Sequence, residues 1–132
     1  DLLAGRTQMM FDAFAAVQPH LQAGTLRMIA QAAPRRSRLL PEVPTVAEAG
    51  FEGYGATSWG CLLAPAGTPP AAIAVLNAAA RRILDSADLR ERLAVLGAEP
   101  APGTPEELAA FMRAEQARYV ALVGALGIKG DA

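Results

Sequence analysis

Ala56-Thr57-Ser58-Trp59-Gly60 spells A-x-S-x-G, a variant of the turn on which α/β hydrolases present a nucleophilic serine. That chemistry needs a helix directly after the serine and a histidine later in the chain. Here Cys61-Leu62-Leu63-Ala64-Pro65 comes next, which reads as a strand, and the single histidine, His20, comes earlier. Ser58 is therefore read as a strand-end hydroxyl that binds backbone or ligand. Cys61 and His20 are in principle a nucleophile and a base, but one cysteine inside an apolar run reads as inert packing. His20, after Pro19 near a helix end, reads as a surface or capping residue. These two and the scattered carboxylates lack metal-ligand spacing, so neither a metal nor a cofactor is expected. Gly53-Tyr54-Gly55 is too short for a dinucleotide fingerprint. Arg35, Arg36 and Arg38 read as a solvated basic loop, with bidentate carboxylate binding as the sharper alternative.

Asp12 is the strongest functional candidate. It sits where an apolar run ends and a helix begins, and Asp fills the N-cap position well. A capped helix N-terminus also offers free N–H groups and a positive dipole end to an anion, here the N–H groups of Ala13 and Phe14. Glu115 interrupts an apolar helical stripe and is expected to pair with Arg118 or with an arginine of a neighbouring helix rather than with ligand.

The elements that must position these residues are legible from periodicity and punctuation. Residues 7–11 form a short β-prone run. Residues 13–21 carry Phe14, Val17 and Leu21 at helical spacing and stop at Gly24, with a break expected near Gln18 because Pro19 fits poorly inside a helix. Residues 26–30 read as a second strand, giving a strand–helix–strand crossover with a parallel pair. In residues 40–50, Pro41 and Pro44 hold the backbone extended. Thr45 and Glu48 then spell a T-x-x-E capping box that starts a short helix, and Gly50 stops it. This is a rigid elbow rather than a catalytic loop. Residues 52–55 are Gly-rich and hinge-like. Residues 57–64 are expected as a strand buried on both faces. Thr68 caps a helix with Pro69 at its first position and a stripe of Ile73, Leu76, Ala80, Ile83 and Leu84. Ser86 caps a shorter helix with Leu89, Leu93 and Leu96 inward, ended by Gly97. Thr104-Pro105-Glu106-Glu107 opens a long last helix burying Leu108, Phe111, Met112, Tyr119, Leu122, Val123 and Leu126.

Composition sets the outer bounds. The chain has 132 residues, 52% hydrophobic and 19% charged, enough to fill one ordinary core. A net charge of −1 gives no electrostatic case for nucleic acid or an anionic membrane. No apolar run approaches the roughly 18 residues that span a bilayer. With one cysteine, no intrachain disulfide is available.

In this order the motifs resemble one known family. Asp1-Leu2-Leu3-Ala4-Gly5 with Gln8-Met9-Met10-Phe11-Asp12 resembles D-L-L-x-G-x-x-Q-x-M-F-D. Pro19-His20, Ala23-Gly24 and Leu26-Arg27 resemble P-H-x-x-A-G-x-L-R. Leu40-Pro41-Glu42-Val43-Pro44-Thr45-Val46-Ala47-Glu48-Ala49-Gly50 resembles LPDVPTVAEAG. Thr57-Ser58-Trp59, Ala64-Pro65-Ala66-Gly67-Thr68-Pro69-Pro70 and Leu96-Gly97-Ala98-Glu99-Pro100 continue the match. The family is that of the periplasmic receptors of tripartite tricarboxylate transporters, the Bug proteins. Ala13 stands where many relatives carry Asn, and Gly60-Cys61 come after Trp59 where an aromatic residue is frequent.

The resemblance implies an α/β chain, part of a two-lobed periplasmic-binding-protein-like fold with short, mostly parallel strands flanked by helices. It implies that residues 1–52 belong to the second lobe and residues 53–132 return to the first. It implies a non-enzymatic, periplasmic receptor for a small organic acid, working with the membrane components of such a transporter. Candidate ligand contacts are Phe11, Asp12, Ala13, Ser58 and Trp59, with Trp59 as an apolar wall and Ser58 as a hydroxyl donor. The chain starts mid-motif without an initiator Met, so it reads as a fragment. An apolar strand at 57–64 seeking partners leads to the expectation of a homodimer. The alternatives from other classes are a small serine hydrolase using Ser58 and a dimerising interaction module without ligand.

Overall fold

A computed structural model describes residues 1–128. Four helices punctuate them: α1 (Phe14–Gln22), α2 (Pro70–Leu84), α3 (Ala87–Val95) and α4 (Pro105–Leu126). Contacts group the chain into two compact units. One comprises Asp1–Ala64 with Ala87–Glu99, the other Pro65–Ser86 with the described residues from Pro100 onward.

In the first unit, α1 runs without interruption through Pro19, contrary to the expected break. Proline there forfeits one amide hydrogen bond, and the nine-residue helix tolerates that loss. Its end is tied by Ala23 N–H donating to the Pro19 carbonyl at 3.0 Å. The elbow closes as its sequence dictates. Glu48 N–H donates to Thr45 Oγ1 at 3.1 Å and Thr45 N–H to Glu48 Oε2 at 2.7 Å, so both halves of the capping box form. Residues 46–50 then make a set of turns, not the expected short helix. Gly50 ends the elbow at φ +106°, which favours glycine.

The expected strands form no ladder among the described residues. Residues 7–11, 26–30 and 57–64 are non-helical, and the pairing present is a single parallel bridge from Gln31 to Thr45. Residues 57–64 are exposed throughout, with Leu62 75% and Leu63 65% accessible, and Cys61 is exposed as well. This corrects the expectation of a strand buried on both faces. Apolar composition demands cover, but the cover must come from a partner, and no described segment supplies it.

In the second unit, α4 has the complete capping box of Thr104 and Glu107 with proline at its start, and Gly127 closes it at φ +63°. Thr68 does not cap α2. The N-cap is Pro69, one residue later, and the Thr68 hydroxyl donates back to the Pro65 carbonyl at 2.8 Å. Asn77 on α2 donates to the Gly103 carbonyl at 2.9 Å, fixing the turn before α4. Glu115 holds Arg118 with a 2.9 Å ion pair, as expected, and the guanidinium also lies over the Tyr119 ring.

The helical stripes expected to be buried stay largely open. Leu76, Ile83, Leu96, Phe111, Tyr119, Leu122, Val123 and Leu126 are all exposed, and among the described residues the one fully buried side chain is Thr45.

Candidate functional site

The candidate contacts all fall in the first unit. Phe11, Asp12 and Ala13 lead into α1. Ala13, not Asp12, is the N-cap residue, with φ −73° and ψ 139°. Asp12 sits one position earlier, and its Oδ1 accepts from the Ala13 N–H at 2.8 Å. This changes the sequence reading in one respect. The Ala13 N–H is already engaged by a carboxylate of the chain itself, while the N–H groups of Phe14 and Ala15 have no intrahelical acceptor. Phe11 is 67% exposed.

Beside α1 lies an open cavity of about 150 Å³, walled by Leu2, Leu3, Met10 and Val17 with Asp1, Asp12 and His20 as polar members. Of the five candidates, Asp12 alone lines it. Ser58 and Trp59 lie on the extended segment 57–64, with Trp59 42% exposed. Just before that segment, Ala56 N–H donates to the Ala32 carbonyl at 2.8 Å. No helix comes directly after Ser58, so the strand–turn–helix frame of a hydrolase serine is absent there.

Sequence reasoning missed the residues that organise the ground between these two groups. Gln31 donates from Nε2 to the carbonyls of Leu40 (2.7 Å) and Val43 (2.9 Å), and its Oε1 accepts from Ser37 N–H at 3.0 Å. Its backbone bonds Pro44 and Val46, forming the bridge to Thr45. Arg36 holds Glu48 through Nε (2.9 Å to Oε2) and donates from Nη1 to the Pro41 carbonyl. The Arg36–Glu48 bond, then the Thr45 N–H, lowers the Glu48 pKa below its ordinary value. The Arg36 guanidinium is thus committed to the elbow rather than offered to a ligand. Glu99 accepts from Ser37 Oγ at 2.6 Å, and this bond is the main reason its pKa is lowered. A polar residue closing the apolar run Met28-Ile29-Ala30 is the one sequence signal that pointed to Gln31. Among the described residues no three acidic, His or Cys side chains gather as metal ligands.

A profile of the tripartite tricarboxylate transporter family receptor matches residues 1–128. The chain belongs to that family. It is 36% identical over 124 residues to the UPF0065 protein in the tcbD-tcbE intergenic region of Pseudomonas sp. (strain P51), covering 93% of this chain and 37% of that protein. It is 35% identical over 129 residues to Protein BugT of Bordetella pertussis, covering 98% of this chain and 40% of the relative. Among solved structures it is similar to R. palustris Rpa4515 with adipate, at 36% identity and a TM-score of 0.79, over 97% of this chain and 43% of that one. The chain therefore spans about two fifths of the length of these relatives, and its fold is periplasmic-binding-protein-like. Receptors of this family are periplasmic solute-binding proteins and not enzymes.

Proposed function

We propose that this chain is part of an extracytoplasmic receptor that captures a small carboxylated molecule and delivers it to a tripartite tricarboxylate-type transporter in the membrane. The observation that carries the reading is the 0.79 TM-score at 36% identity to a protein solved with adipate, over 97% of this chain. Residues 1–52 contribute to one lobe and residues 53–132 return to the other. The extended segments 7–11, 26–30 and 57–64 enter short parallel sheets that further chain completes. Phe11, Asp12, Ala13, Ser58 and Trp59 are the ligand contacts from this part of the clamp. The N–H groups of Phe14 and Ala15 offer an anion the donors that Asp12 leaves available, and Trp59 walls the aliphatic portion. Among the described residues no helix is long and apolar enough to cross a membrane, which fits a receptor that meets its transporter as a separate protein in the periplasm. A hydrolytic role for Ser58 is set aside on the family's nature. The homodimer expected from sequence gains no support from the relatives and is not part of this reading.

The test is titration of adipate and shorter dicarboxylates into the protein, read by calorimetry and by the fluorescence of Trp59. Saturable binding is expected, with Trp59→Leu weakening it about tenfold through lost apolar contact. Absence of binding to every dicarboxylate at millimolar concentration would remove the carboxylate assignment.

A further inference from the structure

The segment from α3 to Glu99 lies between two stretches of the second unit in sequence, yet packs with the first. Two contacts hold it there. Gly97 ends α3 at φ +69°, and a Cβ built on it would stand 2.6 Å from both Cβ and Cδ1 of Phe14. Real side chains never approach that closely, so the backbone of Gly97 is seated directly against the first residue of α1. Two residues on, Glu99 Oε1 accepts from Ser37 Oγ at 2.6 Å and from Arg38 N–H at 3.2 Å. Ser37 is itself fixed, its N–H donating to Gln31 Oε1 and its Oγ accepting from Leu39 N–H. A continuous path therefore runs from the elbow through Ser37 and Glu99 to Gly97, and from Gly97 to Phe14.

We infer that the Gly97–Glu99 turn is a positioning element for the ligand-facing start of α1: Glu99 anchors the turn to the elbow, and Gly97 buttresses Phe14. The inference rests on the reading of residues 11–13 as ligand contacts. Gly97 and Glu99 touch no ligand. They set where the free N–H groups of Phe14 and Ala15 point, and binding geometry tolerates displacements of only about 0.5 Å.

Amide hydrogen exchange on the protein tests the path without a ligand. Gly97→Ala is expected to raise exchange at residues 16–18 by about tenfold, the scale of overpacking a tight site. Gly67→Ala is the control, because Gly67 has φ +82° but nothing within 4 Å of its added Cβ. It carries the backbone strain without the collision and should leave residues 16–18 unchanged. Glu99→Ala should raise the same amides, and Glu99→Gln, which keeps the acceptor oxygen, should restore them. Should Gly97→Ala unfold the protein, the Glu99 pair decides alone. Unchanged exchange at residues 16–18 in Glu99→Ala overturns the inference, as does a Glu99→Gln variant no better than Glu99→Ala. In an adipate titration, both disruptive variants should lose about tenfold in affinity, with Glu99→Gln near wild type. If the wild type itself binds neither adipate nor any shorter dicarboxylate, the carboxylate assignment falls, while the exchange result still decides the positioning path.

Discussion

The elbow at residues 31–50 and the extended segment at residues 57–64 lie a few residues apart and have opposite fates. The elbow buries Thr45, the one fully buried side chain among the described residues, and satisfies its backbone through Gln31, Arg36 and Glu48. The extended segment is more apolar, yet all its residues are exposed and no ladder holds it among the described residues. Hydrophobicity alone therefore does not decide what is buried here. The elbow closes because its acceptors, donors and prolines all lie within about twenty residues, so closing it costs little loop entropy. A strand needs a neighbour's backbone along its whole length, and that neighbour is not among the described residues.

The largest effect on this contrast is expected from Gln31→Leu. It leaves the Leu40 and Val43 carbonyls and the Ser37 N–H without their partner. Three such losses in a half-buried site should cost about 2–3 kcal/mol of local stability. The exchange of the Val46 and Ala49 amides, both bonded within the elbow, reads this directly. Unaltered protection would break the claim that side-chain bonds, not apolar cover, close the region.

A second, smaller effect comes from pH. Arg36 and the Thr45 N–H hold the Glu48 pKa below its ordinary value of 4.5. The folded elbow therefore prefers the ionised carboxylate. Its contribution is full above pH 4.5 and is lost as the pH falls through the lowered folded value. In an NMR titration the Thr45 amide should move with a midpoint under 4.5, and Arg36→Gln should bring that midpoint back up. A wild-type midpoint at or above 4.5 would deny the ion pair its part in the elbow.

The smallest effect is expected in the extended segment. Leu62→Ser removes an apolar side chain that is 75% exposed. Stability of this chain by chemical denaturation should change by no more than about 0.5 kcal/mol. A loss well above that would show that residues 57–64 are covered, and the contrast with the elbow would disappear.

What could be read from sequence was whatever closes over a few residues. The capping boxes at Thr45/Glu48 and Thr104/Glu107, the glycine stop at Gly97, and the Glu115–Arg118 pair all formed as their spacing required. The ordered motifs also carried the family, because motif order survives where single residues do not. Short-range logic also erred: it placed the α1 N-cap at Asp12 instead of Ala13, gave Thr68 a cap it does not make, broke α1 near Gln18 where the helix runs through Pro19, and expected a helix after Thr45 where turns form.

Three matters were decided by tertiary structure. The Ser37–Glu99 bond joins residues 62 apart in sequence, and nothing in either neighbourhood names the other. The seating of Gly97 against Phe14 depends on α3 packing with the first unit rather than with the helices that flank it in sequence. The exposure of residues 57–64 depends on which chain lies alongside. Periodicity marks a segment as needing cover, because water penalises apolar surface wherever it occurs. It does not say which surface provides the cover, since that is a property of pairs of distant segments.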